Sequence, residues 1–167
     1  LVHLEAGLRS GDRSMPEEIN RIRTDSVANL LWTPSPDGDA HLLSSGVPEE
    51  KIVRVGNIMI DTLTEMLTQV RESKFLATLA LQHKEHVVIT LHRPSNVDDP
   101  KQLSILLDEV CKMSENFDII WPIHPRTKAR IQSLGEFEKL QSNSSIHITK
   151  PLGYIDFMNC ILQSRMV

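Results

Sequence analysis

The chain has 167 residues, a formal net charge of −4, 40% hydrophobic and 24% charged residues. That composition suits one sizeable globular core or two incomplete ones, and it lacks the basic stripe of a nucleic-acid surface. No apolar run is long enough to span a bilayer. Cys111 and Cys160 stand far apart in sequence, which favours reduced thiols in a cytoplasmic protein over a disulfide framework.

Leu1-Val2-His3-Leu4 reads as a short strand ending at Glu5, with Gly7 two residues on. Pro16-Glu17-Glu18 opens a helix over about 17–30, its apolar side marked by Ile19, Ile22, Val27 and Leu30. Leu30–Thr33 reads as a strand, 37–45 as a short helix stopped by Gly46, and 52–55 as a further strand. Gly56-Asn57 is the expected domain junction, and helices follow over about 58–70 and 74–82. Then come strand 87–90, helix 101–114, strand 118–121, helix 127–134, strand 146–149 and helix 154–163. Strands alternating with helices predict an α/β protein with parallel sheets. Leu1 already lies in a strand pattern and Met166-Val167 reads as the start of another, so an internal piece of a longer protein is expected.

In such folds ligands meet the sheet at the carboxyl ends of its strands. Glu5 stands at one such end, and Glu17 in the first turn of the next helix, where the dipole favours negative charge. Two carboxylates across one loop suit acid/base chemistry, although acids in a first helical turn are also ordinary helix chemistry. Later strands deliver His92-Arg93, His124-Pro125-Arg126 and Pro151-Leu152-Gly153-Tyr154. Histidines and arginines converging on one sheet edge suit a phosphate-bearing ligand, whereas a lone strand-end histidine is more often structural. His83 and His86 have HxxH spacing but too few partners for zinc. No Gly-rich phosphate loop is present, and no Ser-His-Asp order can be argued.

Six stretches, in order, carry a resemblance: HLEAGLRSGD, MPEEINR, Val55–Asp61, Thr90–Asn96, Pro122–Thr127 and Pro151–Phe157. Together they resemble the non-hydrolysing UDP-N-acetylglucosamine 2-epimerases and span nearly the whole chain. The resemblance implies two Rossmann-like domains of the GT-B type, both incomplete here: 1–57 as the C-terminal part of the first, 58–167 as the N-terminal part of the second, UDP-binding one. It implies interconversion of UDP-GlcNAc and UDP-ManNAc by elimination and re-addition of UDP, supplying precursor for cell-surface polysaccharide. Glu5, Glu17 and His92 match catalytic positions. Glu5, His92, Leu152 and Phe157 match contacts to substrate or UDP. Many members carry glutamine where Leu152 stands, so a contact there would use backbone atoms. Arg93 and His124 resemble contacts to a second, regulatory UDP-GlcNAc. The resemblance implies no metal, no cofactor and a homodimer. It also places a basic loop and an aspartate upstream of Leu1, and a Ser-Gly-Gly helix start beyond Val167, so the chain by itself is expected to be inactive. Two other readings stand beside it: a GT-B-type glycosyltransferase using a UDP-sugar, and a non-catalytic nucleotide-binding fragment.

Overall fold

The computed structural model describes residues 1–83 and 85–167; Lys84, part of the expected polar turn 83–86, lies outside the described residues. The chain divides into two compact units, Leu1–Glu65 and Met66–Val167, each built on a parallel three-stranded sheet.

The first unit runs β1 (Val2–Leu4), α1 (Pro16–Val27), β2 (Leu30–Thr33), α2 (Pro36–Ser44), β3 (Ile52–Arg54) and the beginning of α3 (Ile58–Glu72), with sheet order β1-β2-β3. Proline at the first positions of α1 and α2 gives up an amide that would have no helical partner. Ala6, Ala28, Leu31 and Leu42 form the buried core, joined by Val47 and Ile52. On the other face Leu4 pairs with Trp32 and Trp32 with Val53, and this apolar row is exposed at 41%, 37% and 42%. Gly56, at φ +86, turns the chain into α3, and the division between compact units falls further on, within that helix.

Helix α1 departs from its sequence pattern. It ends at Val27 rather than near residue 30 because β2 begins at Leu30, and Val27 is 65% exposed. Its buried residues are Glu18 and Asp25, two carboxylates.

The second unit contains the end of α3, then β4 (His86–Val88), α4 (Pro94–Val97), α5 (Pro100–Met113), β5 (Asp118–Pro122), α6 (Pro125–Ser133), α7 (Phe137–Ser142), β6 (Ile146–Thr149) and α8 (Tyr154–Gln163). Its sheet order is β4-β5-β6. Both faces of this sheet are covered, as is usual for a parallel sheet. Val87, Ile119 and Trp121 pack with Leu103, Leu107, Val110, Ile131 and Leu140 from α5, α6 and α7. Val88 and Ile120 pack with Cys160, Phe157 and Ile161 of α8 and with Phe75, Leu76 and Leu79. The helix expected over 74–82 is one 3-10 turn, Leu76–Thr78. The amides of Gln82 and His83 instead donate to the Asp118 carboxylate at 3.0 and 2.6 Å, drawing the segment away from helical pairing. His147 Nε2 lies 2.7 Å from the same carboxylate. Burial by itself would raise the Asp118 carboxyl, but the two amides and His147 together hold it below its ordinary value.

After β6 the chain crosses back through α8, and Met166 makes a parallel bridge to Val87, with Val88 N donating to Met166 O at 3.0 Å. The connections β4→β5→β6 run one way across the sheet and α8 returns the other way. A topological switch point therefore lies beside β4.

Candidate active site

Open α/β sheets bind ligands outside the strands' carboxyl ends, at the switch point. A cavity of about 490 Å³ lies there in the second unit, lined by Thr90, Leu91, His92, Pro122, His124, Pro151, Leu152, Phe157, Ile161 and Val167. Its size is that of a small-molecule site, about 300–1,000 Å³. The segments after β4, β5 and β6 each contribute, and α8 supplies Phe157 and Ile161. The walls are mostly apolar and carry two imidazoles, a composition suited to a flat base and a charged tail. His92, His124, Leu152 and Phe157 are thus brought together in one cavity, the two histidines exposed and Leu152 and Phe157 half-buried.

His124 caps α6, its Nδ1 accepting from Arg126 N at 3.2 Å, which leaves Nε2 to meet a ligand. Arg93 stands exposed at the cap of α4. The converging cations are fewer than the sequence suggests, because Arg126 is paired with Asp98, with Nε donating at 3.2 Å. That bond, burial working against it and the Arg126 charge leave the Asp98 carboxyl below its ordinary value. His86 is buried against Cys160 O at 2.9 Å, and His83 Nε2 lies 3.3 Å from Ser145 Oγ. Both members of the HxxH pair have structural partners.

In the first unit Glu5 follows β1 in a turn and has φ +62, the only non-glycine at positive φ among the described residues. Left-handed backbone costs an L-residue about 1–2 kcal/mol, and such strain gathers at functional sites. The turn is held on every side. Ala6 N donates to Trp32 O at 2.9 Å, Arg21 Nη1 to Glu5 O at 3.3 Å, and His41 Nδ1 lies 3.0 Å from Gly7 O. Gly7 has φ +77, and a Cβ there would stand 2.3 Å from Gly38 O in α2, so no larger residue fits. The Glu5 carboxylate has no hydrogen-bond or ion-pair partner among the described residues, and the residue is half-buried. Glu17 is exposed and lines a second cavity of about 300 Å³ with Leu8, Arg9, Ser10, Met15, Glu18 and Arg21.

Sequence reasoning missed the groups that hold this loop. Glu18 accepts from Ser10 N at 2.8 Å and Ser10 Oγ at 3.1 Å, and the Ser10 amide keeps its carboxyl below the ordinary value against the opposing effect of burial. Asp25 lies 2.6 Å from both His3 Nδ1 and Arg9 Nη2. The available signal was the spacing of Glu18, Arg21 and Asp25 at i, i+3 and i+7, one stripe of a helix.

Comparison with known proteins adds the family. The family model described as UDP-N-acetylglucosamine 2-epimerase matches residues 1–167. A UDP-N-acetylglucosamine 2-epimerase of Methanocaldococcus jannaschii is 38% identical over 164 residues, 95% of this chain and 44% of the relative. A UDP-2,3-diacetamido-2,3-dideoxy-D-glucuronate 2-epimerase of Pseudomonas aeruginosa is 33% identical over 170 residues, 100% of this chain and 45% of the relative. Among solved structures, the Methanocaldococcus jannaschii UDP-GlcNAc 2-epimerase in complex with UDP-GlcNAc and UDP aligns with a TM-score of 0.88 at 35% identity, over 99% of this chain and 47% of that one. The chain thus spans about half the length of the curated relatives it matches. Six motifs in order, two parallel α/β units, a cavity at the switch point and a family model that fits end to end have one conclusion: this chain belongs to the UDP-N-acetylglucosamine 2-epimerase family.

Proposed function

We propose that the protein carrying this chain is a UDP-N-acetylglucosamine 2-epimerase, interconverting UDP-GlcNAc and UDP-ManNAc. The observation that carries the reading is the cavity at the switch point, where His92, His124, Leu152 and Phe157 meet; a relative of the same fold was solved with UDP-GlcNAc and UDP bound. In this reading Phe157 and the backbone at Leu152 hold the uridine, and His92 meets the phosphates. Arg93 and His124 contact a second, regulatory UDP-GlcNAc. Residues 1–57 belong to the first Rossmann-like domain and 58–167 to the second.

The chemistry follows from charge. Removing the weakly acidic proton at C2 of the sugar calls for a carboxylate held close, the role given to Glu5, with Glu17 as the second carboxylate. As the C1–O bond breaks, its electron pair leaves with UDP and a C1=C2 double bond remains in a glycal. His92 stabilises the charge gathering on UDP, a contribution of about 3–4 kcal/mol where such a donor is well placed. Re-addition of UDP at C1, with a proton delivered to the opposite face of C2, completes the inversion. No metal or redox cofactor is required for these steps. We extend the reading to a cytoplasmic homodimer that binds no nucleic acid and feeds polysaccharide synthesis; the net charge of −4 supports the exclusion of nucleic acid. Among the described residues, no helix is long and apolar enough to cross a membrane.

The test is NMR product analysis of the full-length protein with UDP-GlcNAc and no acceptor. Appearance of UDP-ManNAc is expected. An unchanged substrate that reacts only when an acceptor is added would replace the reading with a glycosyltransferase.

A further inference from the structure

We infer that Asp25 is a positioning residue for Glu5, fixing the strained turn on which that carboxylate stands. The inference rests on the reading of Glu5 as the acting carboxylate. Asp25 is 5% exposed on the inner face of α1. Its Oδ1 meets His3 Nδ1 at 2.6 Å. Its Oδ2 meets Arg9 Nη2 at 2.6 Å and accepts from Gly7 N at 3.4 Å. Those three partners bracket Glu5, one on the strand before it and two in the loop after it. The Arg9 guanidinium reaches further, donating through Nη1 to Leu8 O at 2.9 Å.

The energetics argue that this charge is there for placement rather than stability. A buried carboxylate must be desolvated, and an apolar side chain of similar size usually serves stability as well or better. Here the inward position of an amphipathic helix is spent on a carboxylate with partners at both oxygens. What the arrangement gives is a fixed path for residues 3–9 around one non-glycine residue at φ +62. Holding that backbone against relaxation matters because a displacement of about 1 Å at a reacting group lowers rate by about a hundredfold.

The experiment is a double-mutant cycle in the full-length enzyme, read by turnover of UDP-GlcNAc, by KM, and by UDP affinity from calorimetry. Asp25→Asn is expected to lower kcat by about 10- to 100-fold, with KM and UDP affinity changed less than about twofold. In the Glu5→Gln background the same substitution is expected to change kcat by less than about twofold, because the group it positions is already disabled. An undiminished effect of Asp25→Asn in that background would overturn the inference and leave the reading of Glu5 standing. Normal turnover of Glu5→Gln alone would instead overturn the reading of Glu5, and the inference with it. Asp25→Asn leaves Arg9 without its ionic partner, so misfolding is a hazard. His3→Ala is the milder second variant, removing one bracket and keeping the Arg9 pair, and the same non-additivity with Glu5→Gln is expected. A crystal structure of either variant in which Glu5 keeps its left-handed conformation and its carboxylate position would also overturn the proposal.

Discussion

Replacing Glu5 by glycine should make the protein more stable than replacing it by alanine, while both lose activity. Alanine keeps the left-handed backbone and its penalty of about 1–2 kcal/mol. Glycine removes the penalty but gives the unfolded chain more freedom, returning about 0.4–1 kcal/mol. The net difference favours glycine by about 0.5–1 kcal/mol. Both variants delete the same unpaired carboxylate, so lost side-chain hydrogen bonds cancel from the comparison. The constraints on the turn act on Ala6, Gly7 and the carbonyl of Glu5, and survive in both. At about 2–4 °C per kcal/mol for a chain of this size, the glycine variant should melt about 1–4 °C above the alanine one. In the full-length protein, turnover should fall by about two to four powers of ten in both. Paired melting curves by circular dichroism, with a denaturant titration for the free energy, measure the difference. A glycine variant equal to or below alanine would refute the strain argument. Normal turnover in either would refute the role of the carboxylate.

His92→Asn should weaken UDP binding by about 10- to 100-fold, since a hydrogen bond to a charged group is worth about 1.5–3 kcal/mol; isothermal titration checks this, and unchanged affinity would remove His92 from the phosphate site. Phe157→Ala should weaken UDP by about 5- to 100-fold, from the roughly 1–3 kcal/mol that base stacking supplies, and uridine should show the same ratio in competition assays. Asp118 has a folded-state carboxyl below the ordinary 3.8, so its contribution is complete above that value and lost as pH falls through it to the folded value. Asp118→Asn should therefore lower the melting temperature most at neutral pH and flatten the acid side of a melting-temperature profile, whereas a loss equal at pH 3 and pH 7 would contradict the assignment. The Cys160 thiol is pushed up to about 11 by burial and the Asp156 charge, and burial raises Cys111 too; both should react slowly with a thiol reagent at pH 8 until the protein is unfolded, and rapid native labelling of Cys160 would disprove it.

Periodicity and turn chemistry made most elements legible. Strand 146–149 and helix 154–163 fall where the pattern puts them, because each is an apolar-patterned segment set off by clear punctuation. Two prolines in the second unit mark the starts of expected helices, at Pro100 and Pro125. Legibility failed where long-range contacts decide. Leu76–Leu81 has helical composition, but the pull of Asp118 on the amides at 82 and 83 leaves one 3-10 turn; a short helix is too marginal to resist such contacts. Helices α4 and α7 escape the pattern because they have only four and six residues. At the site, the residues of the switch-point cavity could be found from strand ends alone. The buried side of α1 could not, since a hydrophobic template assigns inward positions to Ile19, Ile22 and Val27 while the loop it faces is polar and takes Glu18 and Asp25.

The clasp around Asp118 also bears on the order of events in folding. It joins amides 36 and 35 residues upstream to a ring 29 residues downstream. The amides need the pairing of β4 with β5 and the ring needs that of β5 with β6, so the three meet it together only when β5 lies between β4 and β6 in register. Contacts that need both strand pairings complete form late, after the loop-closure entropy of each has been met. Removing them would leave the rate of folding almost unchanged and hasten unfolding. The clasp is thus a latch on the finished sheet, setting how long the second unit stays closed rather than how fast it assembles.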